Sequence, residues 1–317
     1  MKTLLAFTLF GLALGVAGSA SAETVLTGNQ ATYSLTSALV ADTSIDVVNV
    51  PEDGRELSLL ADYIARRTER FAPVFADADA VVSLTNALPA DPLYRFAREA
   101  NIRIVDIDAA IPWSVSMPGV ALIEAPESNV AWGDDTDAAG EGSATYFWLS
   151  VSNAIRMADI IAHDLSALYP DSARGIANNL DRLKRSLLEL RSNYQNRLIE
   201  IGDDTVFALT GDFVYLTNDM GLFVDGYFVK QDIRWTEDDL ANLTRHLSDH
   251  GVHVVIHKWV PNEAIQAAVA AAGAELVVLA TGDPGIVNGD TLAFDGLQQV
   301  LKSNLEGLTS ALGRYSE

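Results

Sequence analysis

A stretch of 29 residues, 173–201, has the apolar spacing of one unbroken amphipathic helix. Its apolar side chains recur every three or four positions, at Ile176, Leu180, Leu183, Leu187, Leu190, Tyr194 and Leu198. This spacing places them on one face of an α-helix. At about 1.5 Å per residue the helix spans roughly 40 Å, the width of a whole domain. We therefore expect it to join two parts of the protein rigidly.

Strand and helix patterns alternate on both sides of this segment. Before it they follow the order 24–27 (strand), 29–42 (helix), 45–50 (strand), 80–84 (strand), 92–100 (helix) and 102–107 (strand). After it the order is 205–209 (strand), 235–250 (helix), 252–257 (strand), 261–272 (helix), 275–280 (strand) and 292–312 (helix). Such alternation favours parallel sheets with helical crossovers. We predict an α/β fold with two parallel-sheet lobes, residues 23–123 and 202–317, joined by one long backbone helix, with a ligand cleft between the lobes.

The first 22 residues have the pattern of a cleaved secretion signal. A lysine at position 2 is followed by an apolar core at 4–16 and by the small residues Ala-Ser-Ala at 20–22. We expect the mature chain to begin at Glu23 and to reside in the periplasm. No later stretch is long enough to cross a membrane, so no membrane insertion is expected. The chain has no cysteine, which excludes disulfides and a lipid-modified cysteine anchor.

The formal net charge of −22 argues against nucleic acid or an anionic membrane surface as a partner, since both are bound by clustered Lys and Arg. A neutral or cationic ligand fits this charge better. Six acidic side chains lie in residues 124–142, and we expect a surface loop over 124–144. This acidic loop either gathers cations or is a solvated insertion.

Two short motifs flank the predicted bridging helix. The first lies in residues 145–201 with the helix and reads Tyr146-Phe147-Trp148-Leu149, then Asn153-Ala154-Ile155 and Met157-Ala158. The second reads Thr210-Gly211-Asp212-Phe213-Val214-Tyr215, then Gly221-Leu222. These motifs resemble the "His-Phe-Trp-Leu-Asp-Pro … Asn-Ala … Met-Ala" and "His-Asp-Ala-Phe-x-Tyr … Tyr-Gly-Leu" signatures of TroA/ZnuA-like receptors. The resemblance covers nearly the whole mature chain.

That family consists of periplasmic metal-binding receptors of zinc- and manganese-type ABC importers. The resemblance implies two α/β lobes with one divalent cation held between them by four ligands. These are two histidines, a third residue that is either His or Glu, and an aspartate. It also implies an ABC importer membrane permease as the partner, and we expect the receptor to act as a monomer.

In this chain the four ligand positions of the family fall at Tyr63, Tyr146, Thr210 and Asp283. Asp283 is the one residue of a type that the family uses as a ligand. Neutral phenol and hydroxyl groups are poor ligands for Zn²⁺, because a phenol must first lose its proton. If the tyrosines bind as phenolates, Fe³⁺ becomes a candidate beside Zn²⁺ and Mn²⁺. The alternative is that Tyr146 packs beneath the cleft as an ordinary half-buried side chain.

Four histidines, His246, His250, His253 and His257, form a second cluster in sequence. The first two are spaced i, i+4 on a predicted helix, which is a ligand spacing. The cluster is either a peripheral second metal site or a set of separate surface and core histidines.

Three functions remain open from the sequence: a receptor for metal import, a receptor of the same fold for a metal chelate or small organic ligand, and a non-transport metal-handling protein. No motif of a nucleophilic or phosphate-binding enzyme is present, so we expect no catalytic activity.

Overall fold

A computed structural model describes residues 23–133 and 142–315. The predicted secretion signal, residues 1–22, lies outside the described residues. The N-terminal lobe contains, in order, β1 (Glu23–Thr27), α1 (Gln30–Val40), β2 (Ile45–Asn49), α2 (Leu57–Ala65), α3 (Thr68–Asp77), β3 (Ala80–Ser83), α4 (Leu93–Ala100) and β4 (Val105–Asp108). Its four strands are parallel, in the order β2-β1-β3-β4.

Two helices lead from this lobe to the next, after a short 3₁₀ turn at Phe147–Leu149: α5 (Val151–Leu168) and α6 (Ala173–Ile201). The C-terminal lobe then contains β5 (Thr205–Ala208), α7 (Val214–Met220), β6 (Phe223–Tyr227), α8 (Glu237–His250), β7 (Val254–His257), α9 (Glu263–Ala271), β8 (Glu275–Val278), β9 (Val287–Asn288), β10 (Thr291–Leu292) and α10 (Gly296–Leu312). Its main sheet is again parallel, in the order β6-β5-β7-β8. The predicted two-lobe α/β architecture is therefore confirmed.

Both sheets reverse their winding direction at the same place, between their first and third strands. In the N-terminal sheet this point lies between β1 and β3, and in the C-terminal sheet between β5 and β7. Loops that leave the carboxyl ends of the strands diverge at such a point and create a crevice that can hold a ligand. The loop residues after these strands are therefore the first candidates for a binding site.

Helix α6 is continuous over 29 residues, as its apolar spacing predicts. Its buried side chains are Ile176, Asn179, Leu183, Leu187, Tyr194 and Leu198. The helix ends at Gly202, whose φ of +74° is a left-handed conformation that glycine adopts without steric cost. It packs against α1, α5 and α10, so it contacts both lobes along its length.

One hydrophobic core runs through both lobes. It includes Val25 and Leu35 of the N-terminal lobe together with Leu301 and Leu308 of α10. Gln30, at the start of α1, adds polar contacts between the lobes: its side-chain amide donates to the carbonyl of Ala293 at 2.8 Å and accepts from the N–H of Ile286 at 2.9 Å. Burial of a shared apolar surface resists separation of the lobes.

The described part of the predicted acidic loop, 124–133 and 142–144, runs beside the C-terminal sheet. The side chain of Asn129 accepts from the N–H of Tyr227 at 2.7 Å, and the backbone N–H of Asn129 donates to the carbonyl of Tyr227 at 3.1 Å. The hydroxyl of Ser128 accepts from the N–H of Val229 at 2.8 Å. These bonds attach the loop to the end of β6.

Among residues 23–133 and 142–315, no helix combines the length and the apolar character needed to cross a membrane.

Candidate metal-binding cleft

A cavity of about 500 Å³ lies between the two lobes, at the carboxyl ends of their strands. Its polar wall includes Glu56, Asp91, Tyr146, Lys258, Thr281 and Asp283. The loop after β2 and the N-terminus of α2 form one side, and the loops after β7 and β8 form the other. A ligand in this cavity would contact both lobes.

Asp283 projects from the loop after β8 towards the opposite lobe. Its two carboxylate oxygens accept from the backbone N–H of Leu57, the first residue of α2, at 3.0 and 3.3 Å. Burial raises the pKa of Asp283 from 3.8 to about 6; the N–H of Leu57 opposes the rise, and the charge of Glu56 adds to it. A carboxylate has lone pairs beyond those that Leu57 uses, so Asp283 retains capacity for a cation.

Tyr146 lies just before the 3₁₀ turn and lines the same cavity. Its ring makes an edge contact with Trp148, with 5.5 Å between centroids, and the indole N–H of Trp148 donates to the carbonyl of Thr281 at 2.9 Å. Burial raises the pKa of the Tyr146 hydroxyl above its usual value, and the charges of Asp212 and Asp283 raise it further. Tyr146 therefore favours its neutral phenol form at physiological pH.

Thr210 follows β5 and is buried. Its hydroxyl donates to Asp212 at 2.5 Å, and Asp212 in turn forms an ion pair with Lys258 at 2.7 Å. Lys258 lines the cavity, whereas Thr210 is absent from its described wall. Thr210 therefore reaches the cleft through Asp212 and Lys258.

Tyr63 lies on α2 and is not part of the described cavity wall. Its ring is flanked by the guanidinium groups of Arg55 at 4.7 Å and Arg67 at 4.1 Å from the ring centroid. The electron-rich face of a phenol attracts such cations. The structure thus brings Tyr146 and Asp283 together in the cleft, connects Thr210 to it indirectly, and places Tyr63 among arginines.

Among the residues that line the cleft, sequence reasoning pointed to Trp259 as a pocket residue but missed Glu56 and Lys258. Glu56 immediately precedes α2, and its side chain makes no capping bond to that helix. Lys258 and Trp259 directly follow β7, with the ammonium nitrogen 4.9 Å from the indole centroid. Their position after a strand at the point of reversed winding was the signal available from the sequence.

Asp91 also faces the cavity, but both of its carboxylate oxygens already have partners in its own lobe. One accepts from the N–H of Leu84 at 2.8 Å and the other from the N–H of Leu93 at 3.1 Å. Burial raises the pKa of Asp91. Its position is fixed by these two bonds, and its main role is to shape the wall.

The four histidines separate into three environments. His246 and His250 both face Asp225, His253 stacks on Tyr315 with 4.7 Å between ring centroids, and His257 lies 3.7 Å from Asp232. Across the described residues, the one group of three His, Asp or Glu side chains whose donor atoms lie within 4.8 Å of one another is Asp225, His246 and His250. No such group occurs in the described part of the cleft.

Solved structures of periplasmic metal-binding proteins share this fold. A mutant of FpvC from Pseudomonas aeruginosa matches with a TM-score of 0.69 and 21% identity, over 92% of this chain and 99% of that one. FpvC in complex with Mn²⁺ matches with a TM-score of 0.65 and 20% identity, over 93% and 99%. The Mn-bound periplasmic metal-binding protein of Candidatus Liberibacter asiaticus matches with a TM-score of 0.67 and 16% identity, over 92% and 99%.

A search of curated proteins finds no match. The family model described as ZnuA, zinc-uptake complex component A, periplasmic, matches residues 63–311. This match covers most of the chain, from α2 through α10, and includes both motifs of the sequence analysis. The protein therefore belongs to the ZnuA family of periplasmic metal-binding proteins.

Proposed function

We propose that the protein is a periplasmic receptor that binds a metal ion in the cleft between its lobes and delivers it to the membrane permease of an ABC importer. The observation that carries this proposal is that carboxylates from both lobes line one cavity, Glu56 from the N-terminal lobe and Asp283 from the C-terminal lobe. A cation between them would be held by both lobes and would fix their relative orientation. A permease can distinguish loaded from empty receptor by such a difference.

The ligand atoms available in the cleft favour Mn²⁺ over Zn²⁺. The described cavity wall contains no histidine, and its oxygen donors include the carboxylates of Glu56 and Asp283 and the hydroxyl of Tyr146. Oxygen ligands suit harder ions such as Mn²⁺, whereas Zn²⁺ prefers imidazole and thiolate. Burial and the charges of Asp212 and Asp283 raise the pKa of Tyr146, so the phenolate of a ferric site would have to be stabilised by the ion itself.

Isothermal titration of the purified protein with manganese chloride and with zinc chloride tests this proposal. We expect one equivalent of Mn²⁺ in the cleft, and weaker binding in both Glu56→Gln and Asp283→Asn. Asp290→Asn serves as the matched control, because Asp290 is an exposed carboxylate in the same part of the chain. Wild-type affinity in both cleft variants would refute the proposal. Uptake of radioactive manganese by cells with and without the gene then tests the transport role against metal handling alone.

One observation supports a second candidate, a receptor for a metal chelate or small organic anion. Lys258 places an ammonium group in the cavity wall, beside the indole of Trp259, whose surface is 45% exposed. An ammonium group repels a bare cation and attracts an anion, while an exposed aromatic ring can stack on a planar ligand. Ferric citrate is a practical probe. Binding of ferric citrate without binding of Mn²⁺ would favour this candidate.

A further inference from the structure

A second cluster of ligand-type side chains lies in the C-terminal lobe, outside the cleft. It consists of Asp225 on β6 and of His246 and His250 on α8. The two histidines are one helical turn apart, so their side chains lie on the same face of α8. Neither β6 nor α8 supplies a residue to the described wall of the cleft. We call this group the Asp–His–His cluster.

The three side chains already converge on one point. His246 Nε2 lies 2.6 Å from Asp225 Oδ2, and His250 Nδ1 lies 2.9 Å from Oδ2 and 3.1 Å from Oδ1. The two imidazole rings are 4.0 Å apart between centroids. A tetrahedral ion with bonds of about 2.1 Å holds its donor atoms roughly 3.4 Å apart. Small side-chain rotations would therefore open the cluster enough to admit an ion.

Aromatic side chains hold His246 in place. Phe207 and Trp132 contact its ring in edge-to-face geometry, at 5.2 and 5.0 Å between centroids. The side chains of His246 and Asp225 are only 12% and 15% exposed. The aromatic contacts restrict the rotation of His246, and burial restricts that of Asp225. An ordered ligand set loses less conformational entropy when it binds an ion.

His250 forms the open side of the cluster. Its side chain is 48% exposed, so an ion can enter from solvent past this residue. Three protein ligands leave at least one coordination position of a tetrahedral ion for water. The cluster therefore has the composition of an accessible site and not of a sealed structural one.

We propose that the Asp–His–His cluster is a second metal site, which binds Zn²⁺ or a similar borderline transition metal independently of the cleft. Two imidazoles and one carboxylate are a ligand set that suits Zn²⁺ better than the oxygen atoms of the cleft do. Asp225 also neutralises part of the charge of the ion. All three ligands come from one lobe, so binding at this site does not require contact between the lobes.

Zinc titration of the full chain, followed by native mass spectrometry, tests this site. We expect one Zn²⁺ to remain bound in the double cleft variant Glu56→Gln/Asp283→Asn, and we expect its affinity to fall by about tenfold or more in His250→Ala. His253→Ala is the matched control, because it removes a histidine of the same lobe that lies outside the cluster. Equal zinc affinity in His250→Ala and wild type would overturn the proposal, as would loss of all bound zinc in the double cleft variant.

A second measurement covers the more buried ligands, whose replacement disturbs packing. In the imidazole NMR spectrum of the otherwise unchanged protein, zinc should shift the ring signals of His246 and His250 and leave those of the other three histidines, His163, His253 and His257, in place. Asp225→Asn should weaken binding while it preserves the shape of the side chain. Zinc-induced shifts that leave His246 and His250 unaffected, or that are absent from all five rings, would contradict the assignment.

Discussion

Asp283 of the C-terminal lobe caps helix α2 of the N-terminal lobe: its carboxylate oxygens lie 3.0 and 3.3 Å from the backbone nitrogen of Leu57. Glu56, the residue that would ordinarily cap this helix, makes no such bond with its side chain. A carboxylate at a helix N-terminus satisfies an unpaired N–H and interacts favourably with the helix dipole. The same side chain is therefore a contact between the lobes and a candidate ligand for the cation in the cleft.

The two roles of Asp283 can be separated by comparing Asp283→Ala with Asp283→Asn. The alanine variant loses the cap, and we expect its unfolding free energy to fall by about 1 kcal/mol. The asparagine variant keeps a side-chain oxygen that can accept from Leu57 and removes the buried charge, so at neutral pH its stability should equal or exceed that of the wild type. Both variants lose the negative charge and should bind Mn²⁺ more weakly. Urea denaturation and titration calorimetry measure the two effects separately; equal stability of the two variants would show that the cap contributes nothing.

Metal binding in the cleft should depend on pH through Asp283. Burial raises its pKa to about 6, so the carboxylate takes up a proton as pH falls through this value. Since only the deprotonated form binds a cation, the apparent affinity for Mn²⁺ should fall roughly tenfold between pH 7 and pH 5. Asp283→Asn has no proton to exchange at this position and should show a smaller slope. Identical slopes would mean that another group controls the dependence.

The stability of the protein without metal should depend on pH in the opposite direction to its affinity for Mn²⁺. The pKa of Asp283 is higher in the folded protein than its ordinary value of 3.8, so between about 3.8 and about 6 the folded protein binds more protons than the unfolded chain. The unfolding free energy then decreases as pH rises through this window. Asp106 contributes in the same direction, because burial raises its pKa to about 6 as well. The difference between wild type and Asp283→Asn isolates the share of Asp283.

Lys258 should decide between a bare cation and an anionic ligand. Lys258→Met removes the ammonium group and leaves the carboxylate of Asp212 without its partner at 2.7 Å. We expect higher affinity for Mn²⁺ and lower affinity for ferric citrate, because the charge of the cleft becomes more negative. Lys184→Met is the matched control, because Lys184 of α6 forms an ion pair with Asp159 of α5 at the same distance of 2.7 Å. A loss of Mn²⁺ affinity in Lys258→Met would contradict this expectation.

Asn179 connects α6 to the end of α1. Its side-chain amide donates to the carbonyls of Leu39 and Ala41, both at 2.8 Å, and the residue is 4% exposed. Asn179→Ala leaves these buried acceptors without a donor, so we expect a loss of about 2 kcal/mol in unfolding free energy. The neighbouring Asn178 is exposed, and Asn178→Ala should change stability by less than about 0.5 kcal/mol. Thermal and urea unfolding of the two variants provide the comparison.

The architecture could be predicted from the sequence because its signals are local. The apolar residues of α6 recur with helical spacing, and strands such as β3 and β7 are short, fully buried runs rich in β-branched residues. Strand β6 was not predicted, because it contains Asp225 and Gly226. It lies at the edge of its sheet, where fewer side chains are buried and polar residues are tolerated. Edge strands of this kind resemble loops in sequence.

The cleft was harder to predict, because its residues come together only through the tertiary structure. Tyr146 and Asp283 were identified through the resemblance to the family's ligand positions, whereas nothing in that resemblance points to Glu56. Tyr63 was assigned by the same resemblance, which does not reveal that Arg55 and Arg67 flank its ring. Contacts between side chains that are far from any motif require the structure.

The continuous bridging helix should keep the lobes from closing by a large angle when a ligand binds. Bending α6 would break several main-chain hydrogen bonds at once. Separation of the lobes would expose the hydrophobic core that they share and the buried contacts of Gln30 with Ala293 and Ile286. Movement should therefore be confined to the loops around Asp283 and Lys258. Small-angle X-ray scattering with and without Mn²⁺ should give the same radius of gyration within experimental error. A clear decrease in the radius of gyration on addition of Mn²⁺ would show that the lobes close about a hinge outside α6 and that the shared core rearranges as they do.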